Sequence, residues 1–285
     1  MIVTGLCFVG MTGLVKSIAG RVPSIEAAFL RFAFGLVFLL PTWRLLITTQ
    51  ISPRLWRLIG LRGVVHTLGV MCWFYAMTRI PVAEVTALNY INPVLVTVLA
   101  VVLLGEPIAL RRIVAIAVAL VGALVILRPG FRTLDPGHFS MLGTGVAMGA
   151  SYLIMKILSG ELPAALVVMM MSLTVTLGLT PFALAVWVTP DLSDLVVLVA
   201  IAFLATAGHY SMTLAFAAAP LSVTQPVTFL QLVWSVMVGA IFFGEPVDPF
   251  VIAGGTLVIG AVSYMTWREA MLRKKVTPAV NQPKL

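Results

Sequence analysis

Charged side chains are scarce in this sequence. Only 10% of the residues are Asp, Glu, Lys or Arg, whereas 61% are hydrophobic and the mean hydropathy is +1.11. In soluble domains about a quarter of the residues are charged. A chain of 285 residues cannot enclose this much apolar surface in a single water-exposed core. The composition therefore argues against a soluble protein and predicts that a lipid bilayer surrounds most of the chain.

Cysteine and the common catalytic motifs are also scarce. The two cysteines, Cys7 and Cys72, both lie inside apolar runs, so neither a disulfide framework nor a metal site of the CxxC type is predicted. No Ser-His-Asp arrangement and no Gly-Lys-Ser/Thr phosphate loop can be recognised. We therefore predict that the protein is not an enzyme and that it uses no cofactor and no metal.

Long apolar runs dominate what is present. A helix needs roughly 20 apolar residues to cross a bilayer, and ten runs approach or exceed this length, with Pro, Gly or charge between them. The predicted spans are 2–19, 24–43, 58–78, 83–104, 110–127, 139–158, 163–187, 195–218, 221–243 and 250–267. The predicted fold class is an all-α integral membrane protein with ten transmembrane helices.

The sequence also repeats itself. LLGEP at 103–107 returns as FFGEP at 242–246, which is 139 positions later, and Pro81 returns as Pro220 at the same offset. Lys16 returns as Lys156 after 140 positions. Landmarks that recur in one order indicate two copies of one unit. We predict a first five-helix repeat at 1–133, a second at 134–268 and a polar tail at 269–285.

An odd number of helices per repeat requires the second copy to be inverted in the membrane. Lys and Arg concentrate in cytoplasmic loops, so equivalent loops of inverted copies should differ in charge. The loop after the second predicted helix holds Arg44, Arg54, Arg57 and Arg62, whereas its counterpart holds two aspartates and no basic residue. This asymmetry predicts that both termini are cytoplasmic and that the protein lies in the inner (plasma) membrane.

The repeated Gly-Glu-Pro triplets are interpreted first as turns between helices, with a substrate site as the alternative. Glycine commonly ends a helix in the left-handed conformation, and proline suits the first turn of the next helix. A carboxylate is favoured near the positive end of a helix. The predicted structural turns are Gly105, Glu106 and Pro107 in the first copy and Gly244, Glu245 and Pro246 in the second.

Two five-helix units, each with GEP between its fourth and fifth helices, and FLRF in the second helix resemble the drug/metabolite transporter superfamily, specifically its EamA-type members. The resemblance extends from about Gly5 to Trp267. It implies a transporter of ten helices with inverted repeats and a central substrate cavity. Members of that superfamily differ widely in cargo, from amino acids and vitamins to nucleotide-like metabolites, polyamines and drugs.

A polar stripe in the fourth and ninth spans supplies candidates for the cavity, because binding sites of repeat transporters lie between the repeats near the midplane. Asn89 and Asn92 share one helical face, and their counterparts in the second copy are Thr228 and Gln231. The alternative role for these side chains is hydrogen bonding between helices. Aromatic residues that could stack on a planar solute, or simply pack, are Trp73, Tyr75, Tyr210 and Trp234.

Charges inside the predicted spans form a second group of candidates. Arg31 is the deepest, and it requires either an ion pair with Glu26 or Glu84 or a direct contact with a solute carboxylate. Lys16 lies near the end of its span, where its amine could bind solute or reach water. We interpret the two histidines at 66 and 209 as hydrogen-bonded core residues, because they are not equivalent in the two copies.

The sequence therefore predicts a secondary transporter of a small organic solute, amino-acid-like or a vitamin such as a flavin. No acidic residue falls at the middle of a predicted span, which favours facilitated diffusion or exchange over proton coupling. The alternatives are a membrane scaffold that binds partners without transport and a broad drug/metabolite exporter. Basic residues lie in short gaps between apolar runs, so no nucleic-acid partner is expected, and a homodimer is left open.

Overall fold

The computed structural model describes residues 1–89, 92, 110–128, 133–218 and 230–276, and helices connected by turns make up this part of the chain. The N-terminal half contains α1 (Ile2–Ser17), α2 (Ser24–Leu39), α3 (Trp43–Thr48), α4 (Pro53–Met77), α5 (Val82–Asn89) and α6 (Leu110–Leu127). The C-terminal half contains α7 (Pro136–Ser159), α8 (Ala164–Ala185), α9 (Leu192–Ala218), α10 (Leu230–Phe243) and α11 (Pro249–Val276).

The helices follow the predicted apolar runs. Five described segments are long and apolar enough to cross a membrane: Ser24–Thr48, Pro53–Met77, Pro136–Ser159, Ala164–Ala185 and Leu192–Ala215. The fourth and ninth predicted spans lie only partly within the described residues, as α5 and α10. The all-α fold class is confirmed, and the chain is a multi-pass membrane protein.

Short polar residues cap the starts of α4 and α7. Ser52 accepts a hydrogen bond from the Leu55 N–H at the start of α4, and Pro53 occupies the first turn. At the start of α7 the Asp135 carboxylate accepts from the Gly137 N–H at 2.6 Å, and the His138 side chain bonds back to the Asp135 backbone. These caps satisfy backbone donors that have no partner inside their own helix.

Helices of the two halves pair with one another. The most extensive contacts join α4 to α7, α6 to α11, α1 to α9 and α2 to α8, and each pair takes one helix from each half. The α6–α11 contact is close, because a Cβ atom on Gly122 would lie 2.7 Å from the Gly254 carbonyl oxygen. Small residues permit such close approach of membrane helices. The two halves therefore interlock.

Arg62 corrects the loop prediction. The helix α4 begins at Pro53, so Arg62 lies inside it and is only 2% exposed. Its guanidinium donates to the Val167 carbonyl at 3.1 Å and to the Ser151 hydroxyl at 3.4 Å. Arg62 thus binds α4 to α7 and α8 and does not belong to a solvated loop.

The second Gly-Glu-Pro triplet forms a turn, although not the one predicted. Gly244 follows the end of α10 with a φ of 62°, which is the predicted left-handed conformation. However, α11 begins only at Pro249, so Pro246 is not in its first turn, and Asp248 caps that helix through the Phe250 N–H at 2.8 Å. The Glu245 carboxylate instead accepts from the Val82 N–H at the start of α5, at 3.1 Å. The first triplet, 105–107, lies outside the described residues.

One end of the helix bundle, which we call the ion-pair end, carries most of the described ionic contacts. It comprises the connectors that follow α1, α4, α6, α8 and α10. Its ion pairs are Lys16 with Glu245, Arg128 with Asp248, and Arg21 with Asp194, whose closest atoms are 2.8 Å apart. The hydrogen bond from Arg21 to Asp194 raises the pKa of this guanidinium above its ordinary value. At the opposite end the described residues form one ion pair, between Arg54 and Glu161 at 3.1 Å.

Candidate substrate cavity

A cavity lies between the two halves of the bundle, and α1, α2, α4, α5, α7, α9 and α10 contribute to its wall. In this conformation the volume of the cavity is about 70 Å³, which is smaller than the roughly 300–1,000 Å³ of typical small-molecule sites. Its polar lining includes Thr12, Arg31, His66, Asn89, His209 and Gln231. Its apolar lining includes Phe8, Trp73, Phe74 and Met148. This combination is typical of sites for small organic molecules.

Arg31 reaches the cavity from the middle of α2 and is 5% exposed. The carbon at the centre of its guanidinium lies 3.8 Å from the centre of the Phe32 ring, which is a cation–π contact. The predicted ion pair with Glu26 or Glu84 does not form. The Glu26 carboxylate accepts from the Val188 N–H at 2.8 Å, and Glu84 bonds to His138 at 2.8 Å. The Arg31 Nε atom is buried without a hydrogen-bond partner.

Two histidines face each other beside Arg31. The rings of His66 on α4 and His209 on α9 meet edge to face, with 5.7 Å between their centres. His66 Nδ1 is 2.8 Å from the Ser151 hydroxyl, but His66 Nε2 and His209 Nδ1 are buried without partners. Among the described contacts, the interpretation as hydrogen-bonded core residues is therefore supported at one nitrogen of His66. Both rings also lie close enough to Arg31 and Arg62 to interact electrostatically.

The predicted polar stripe divides between two roles. Asn89 and Gln231 line the cavity. Asn92 donates to the Asn89 side-chain oxygen at 2.9 Å, while its own buried oxygen has no partner. Thr86, one turn before Asn89, has both roles, because it lines the cavity and also bonds to Ser235 at 2.7 Å, which joins α5 to α10. Thr228 lies outside the described residues.

The other predicted site residues are placed differently. Trp73 lines the cavity. Tyr75 stacks against Arg79, with 4.5 Å between its ring centre and the guanidinium carbon, and Tyr210 is 40% exposed. Neither tyrosine lines the cavity. Trp234 fills the contact between α10 and α1 at Gly5. Lys16 lies at the ion-pair end, paired with Glu245, and does not reach the cavity.

Sequence reasoning missed Tyr152 and assigned the two cavity histidines to packing. Tyr152 lines the cavity from α7, and nothing in its sequence neighbourhood distinguishes it from the other aromatic residues. Histidine, however, is rare: the chain has three, of which two lie within long apolar runs. That rarity was a usable signal. Among the residues that the structure describes, no cluster of three His, Cys, Asp or Glu side chains could hold a metal ion.

Curated transporters are similar to this chain over most of its length. A riboflavin transporter from Rhizobium johnstonii is 27% identical over 283 residues, which cover 98% of this chain and 93% of the relative. An S-adenosylmethionine uptake transporter from Rickettsia prowazekii is 26% identical, with 89% of this chain and 86% of the relative covered. A pseudopaline exporter from Pseudomonas aeruginosa is 28% identical, with 91% and 92% covered.

A solved crystal structure of a protein shares the fold, with a TM-score of 0.64 and 16% identity over 94% of this chain and 97% of that one. The model of the EamA-like transporter family matches residues 1–128 and 135–267, which together make up most of the chain. The chain therefore belongs to the EamA-like transporter family, whose relatives compared above are named as transporters.

Proposed function

We propose that this protein is a secondary transporter that moves a small organic solute across the plasma membrane through the cavity between its two halves. The observation that carries the proposal is the set of buried polar atoms around that cavity, including those of Arg31, His66 and His209. Unpartnered polar groups inside a membrane protein are costly and usually mark a solute or ion pathway. A scaffold that only holds partners at its surface would have no use for them.

We propose further that the two halves are inverted repeats and that the ion-pair end faces outward. The pairing of every long helix with a helix of the other half supports this arrangement. Contacts at the ion-pair end, such as Lys16 with Glu245 and Arg21 with Asp194, join connectors that the inverted topology predicts on one side of the membrane. Without Arg62, three exposed basic residues in α3 and the first turns of α4, Arg44, Arg54 and Arg57, still contrast with the two aspartates of the equivalent segment. Both termini are then cytoplasmic.

In this proposal the described conformation is closed at the ion-pair end. The Lys16–Glu245 pair joins α1 to the α10–α11 connector, and the same carboxylate binds the first turn of α5. Alternating access requires these contacts to separate when the cavity opens to that side. The opposite end has fewer described ionic contacts to break.

The cargo that we propose is an amino-acid-like solute or a vitamin. Its aromatic and amide lining, such as Trp73, Asn89 and Gln231, can stack on a planar group and hydrogen-bond to polar atoms. The relatives named for riboflavin and for S-adenosylmethionine fall within this range, and together with the exporter they include both directions of transport.

Purified protein in liposomes tests the proposal. We expect saturable uptake, accelerated by unlabelled solute inside, for at least one member of a panel of amino acids, S-adenosylmethionine and riboflavin. Gln231→Leu should abolish this uptake because it removes a polar group of the cavity, whereas Tyr210→Leu, outside the cavity, should retain it. Both variants should remain monodisperse in detergent. Absence of flux for the whole panel would contradict a transporter of this class.

A further inference from the structure

The described lining of the cavity contains basic side chains and no acidic ones. The described lining contains the guanidinium of Arg31 and two imidazoles but no carboxylate. Arg62 lies behind this wall, within electrostatic range of both imidazoles. The two acidic residues that could have reached Arg31, Glu26 and Glu84, bind Val188 and His138 instead. The cavity thus carries positive charge that the described protein residues do not balance.

Arg31 and Arg62 differ in the hydrogen bonds that they make. Arg62 uses its donors on the Val167 carbonyl and the Ser151 hydroxyl, so it has a structural partner on each neighbouring helix. For Arg31, the described residues supply the face of the Phe32 ring and an electrostatic interaction with Tyr152, and none of their hydrogen bonds engages its guanidinium. Its Nε is buried and unpartnered, although the side chain lines the cavity. A guanidinium has five N–H donors in a planar fork that matches a carboxylate.

The two histidines offer further hydrogen-bonding atoms. His66 Nε2 and His209 Nδ1 are buried without partners, on rings whose centres are 5.7 Å apart and which both line the cavity. A carboxylate accepts about four hydrogen bonds in total. Two can come from the guanidinium fork, and an imidazole N–H can supply another. The aromatic wall at Trp73 and Phe74 is available for the remainder of the solute.

We propose that the cavity recognises its solute by a carboxylate, bound by Arg31 with the imidazoles of His66 and His209 alongside. This inference rests on the proposed function, since it names the class of cargo for the same cavity. A single guanidinium to which no carboxylate of the described residues is bound matches a monoanion better than a phosphate monoester, which carries nearly two charges. Carboxylate-bearing solutes such as amino acids and S-adenosylmethionine fit the site, and riboflavin, which has no carboxylate, does not.

Binding is measured on the full-length purified protein, apart from transport, as a ligand-dependent shift in thermal stability. The probes are L-tryptophan, L-methionine and S-adenosylmethionine, each compared with the amine that its decarboxylation gives. Riboflavin and flavin mononucleotide serve as the carboxylate-free and phosphate probes. We expect at least one acid to bind about tenfold or more tightly than its amine, because charge-assisted hydrogen bonds are lost with the carboxylate.

Substitution of Arg31 provides the second arm. Arg31→Lys keeps the charge but loses the planar fork, so it should weaken binding of the acid while leaving binding of the amine unchanged. Arg31→Gln should remove the preference for the acid. Arg79→Lys is the matched control, because Arg79 also stacks on an aromatic ring, that of Tyr75, but lies outside the cavity. Gel filtration of each variant establishes that it is folded.

Three outcomes would overturn the carboxylate site: none of the three acids binds, an amine or riboflavin binds as tightly as the acids, or flavin mononucleotide binds in preference to them through Arg31. The outcomes also separate the two proposals. Arg31-dependent binding of an acid without flux in liposomes would retain this site and contradict the transporter. Flux of riboflavin that is indifferent to Arg31→Gln would retain the transporter and contradict this site.

Discussion

Two arginines on neighbouring helices show how much the surroundings of a residue decide its role. Arg31 on α2 and Arg62 on α4 are both almost completely buried. Arg62 donates to protein oxygens, whereas Arg31 presents its donors to a cavity. The position equivalent to Arg31 in the second repeat is Met171, whose sulfur lies 3.2 Å from an Arg62 nitrogen. Equivalent positions of the two halves thus hold different residues: a cation in the first half, and in the second a neutral side chain that contacts another cation.

Ser151 on α7 supports both the structural arginine and the cavity. Its hydroxyl lies 2.8 Å from His66 Nδ1 and accepts from Arg62, and it is completely buried. Ser151→Ala should lower stability by about 1–3 kcal/mol, because two buried polar groups lose a partner at once. The measurement is thermal unfolding in detergent.

Ser159→Ala is the control for this substitution, since Ser159 ends the same helix with an exposed hydrogen bond to the Lys156 carbonyl. It should leave the unfolding temperature almost unchanged. If both variants unfold at the same temperature as the parent, Ser151 does not hold the His66 ring in place.

At the scale of the helices, glycine controls how closely the two halves meet. A Cβ atom on Gly254 of α11 would collide with the Gly122 carbonyl oxygen of α6 and would come within 2.6 Å of Ile126. Farther along the same helix, a Cβ on Gly260 would meet nothing within 4 Å. The two positions differ in packing and share their helical backbone.

Gly254→Ala should therefore destabilise the protein by about 1–3 kcal/mol, as overpacking of a close contact does, whereas Gly260→Ala should be neutral or slightly stabilising because alanine favours a helix. Thermal unfolding of the two variants in the same detergent makes the comparison. Equal stability of both would mean that α6 and α11 separate without cost.

The helices were largely predictable, and their contacts were not. A segment that crosses a bilayer must be apolar and must satisfy its backbone hydrogen bonds internally. The length of the apolar run 163–187 therefore predicts a helix, which the structure shows as α8. The turn at Gly244 was predictable because glycine tolerates a positive φ. The partner of Glu245 was not, because its carboxylate caps α5, more than 160 residues away in sequence. Likewise, Arg62 looked like loop charge because its partners, Val167 and Ser151, lie on distant helices.

For the whole molecule, the inverted arrangement predicts on which side of the membrane each helix end lies. Ser17 at the end of α1 and Ser159 at the end of α7 occupy comparable positions in the two halves, and both hydroxyls are in exposed hydrogen bonds. In a background without Cys7 and Cys72, Ser17→Cys should react with a membrane-impermeant maleimide in intact cells. Ser159→Cys should react only after the membrane is permeabilised.

The reason is that an odd number of crossings separates these two positions in the proposed topology. Labelling detected by gel shift measures the accessible side, and denatured protein provides the maximum for each cysteine. Reaction of both cysteines from the same side would contradict the inverted repeat, while leaving the family membership and the cavity unaffected.

The pairing between the two halves also bears on how the chain is made. The ribosome releases α1, α2 and α4 before their main partners α9, α8 and α7 exist. During that interval the face of α2 that carries Arg31 has no cavity to line, and the guanidinium of Arg62 lacks the carbonyl of Val167. These helices therefore remain without their main partners, in the membrane or beside the insertion machinery, until the second half has been synthesised. Synthesis of this protein therefore passes through a stage in which the helices that carry Arg31 and Arg62 lack their main partners.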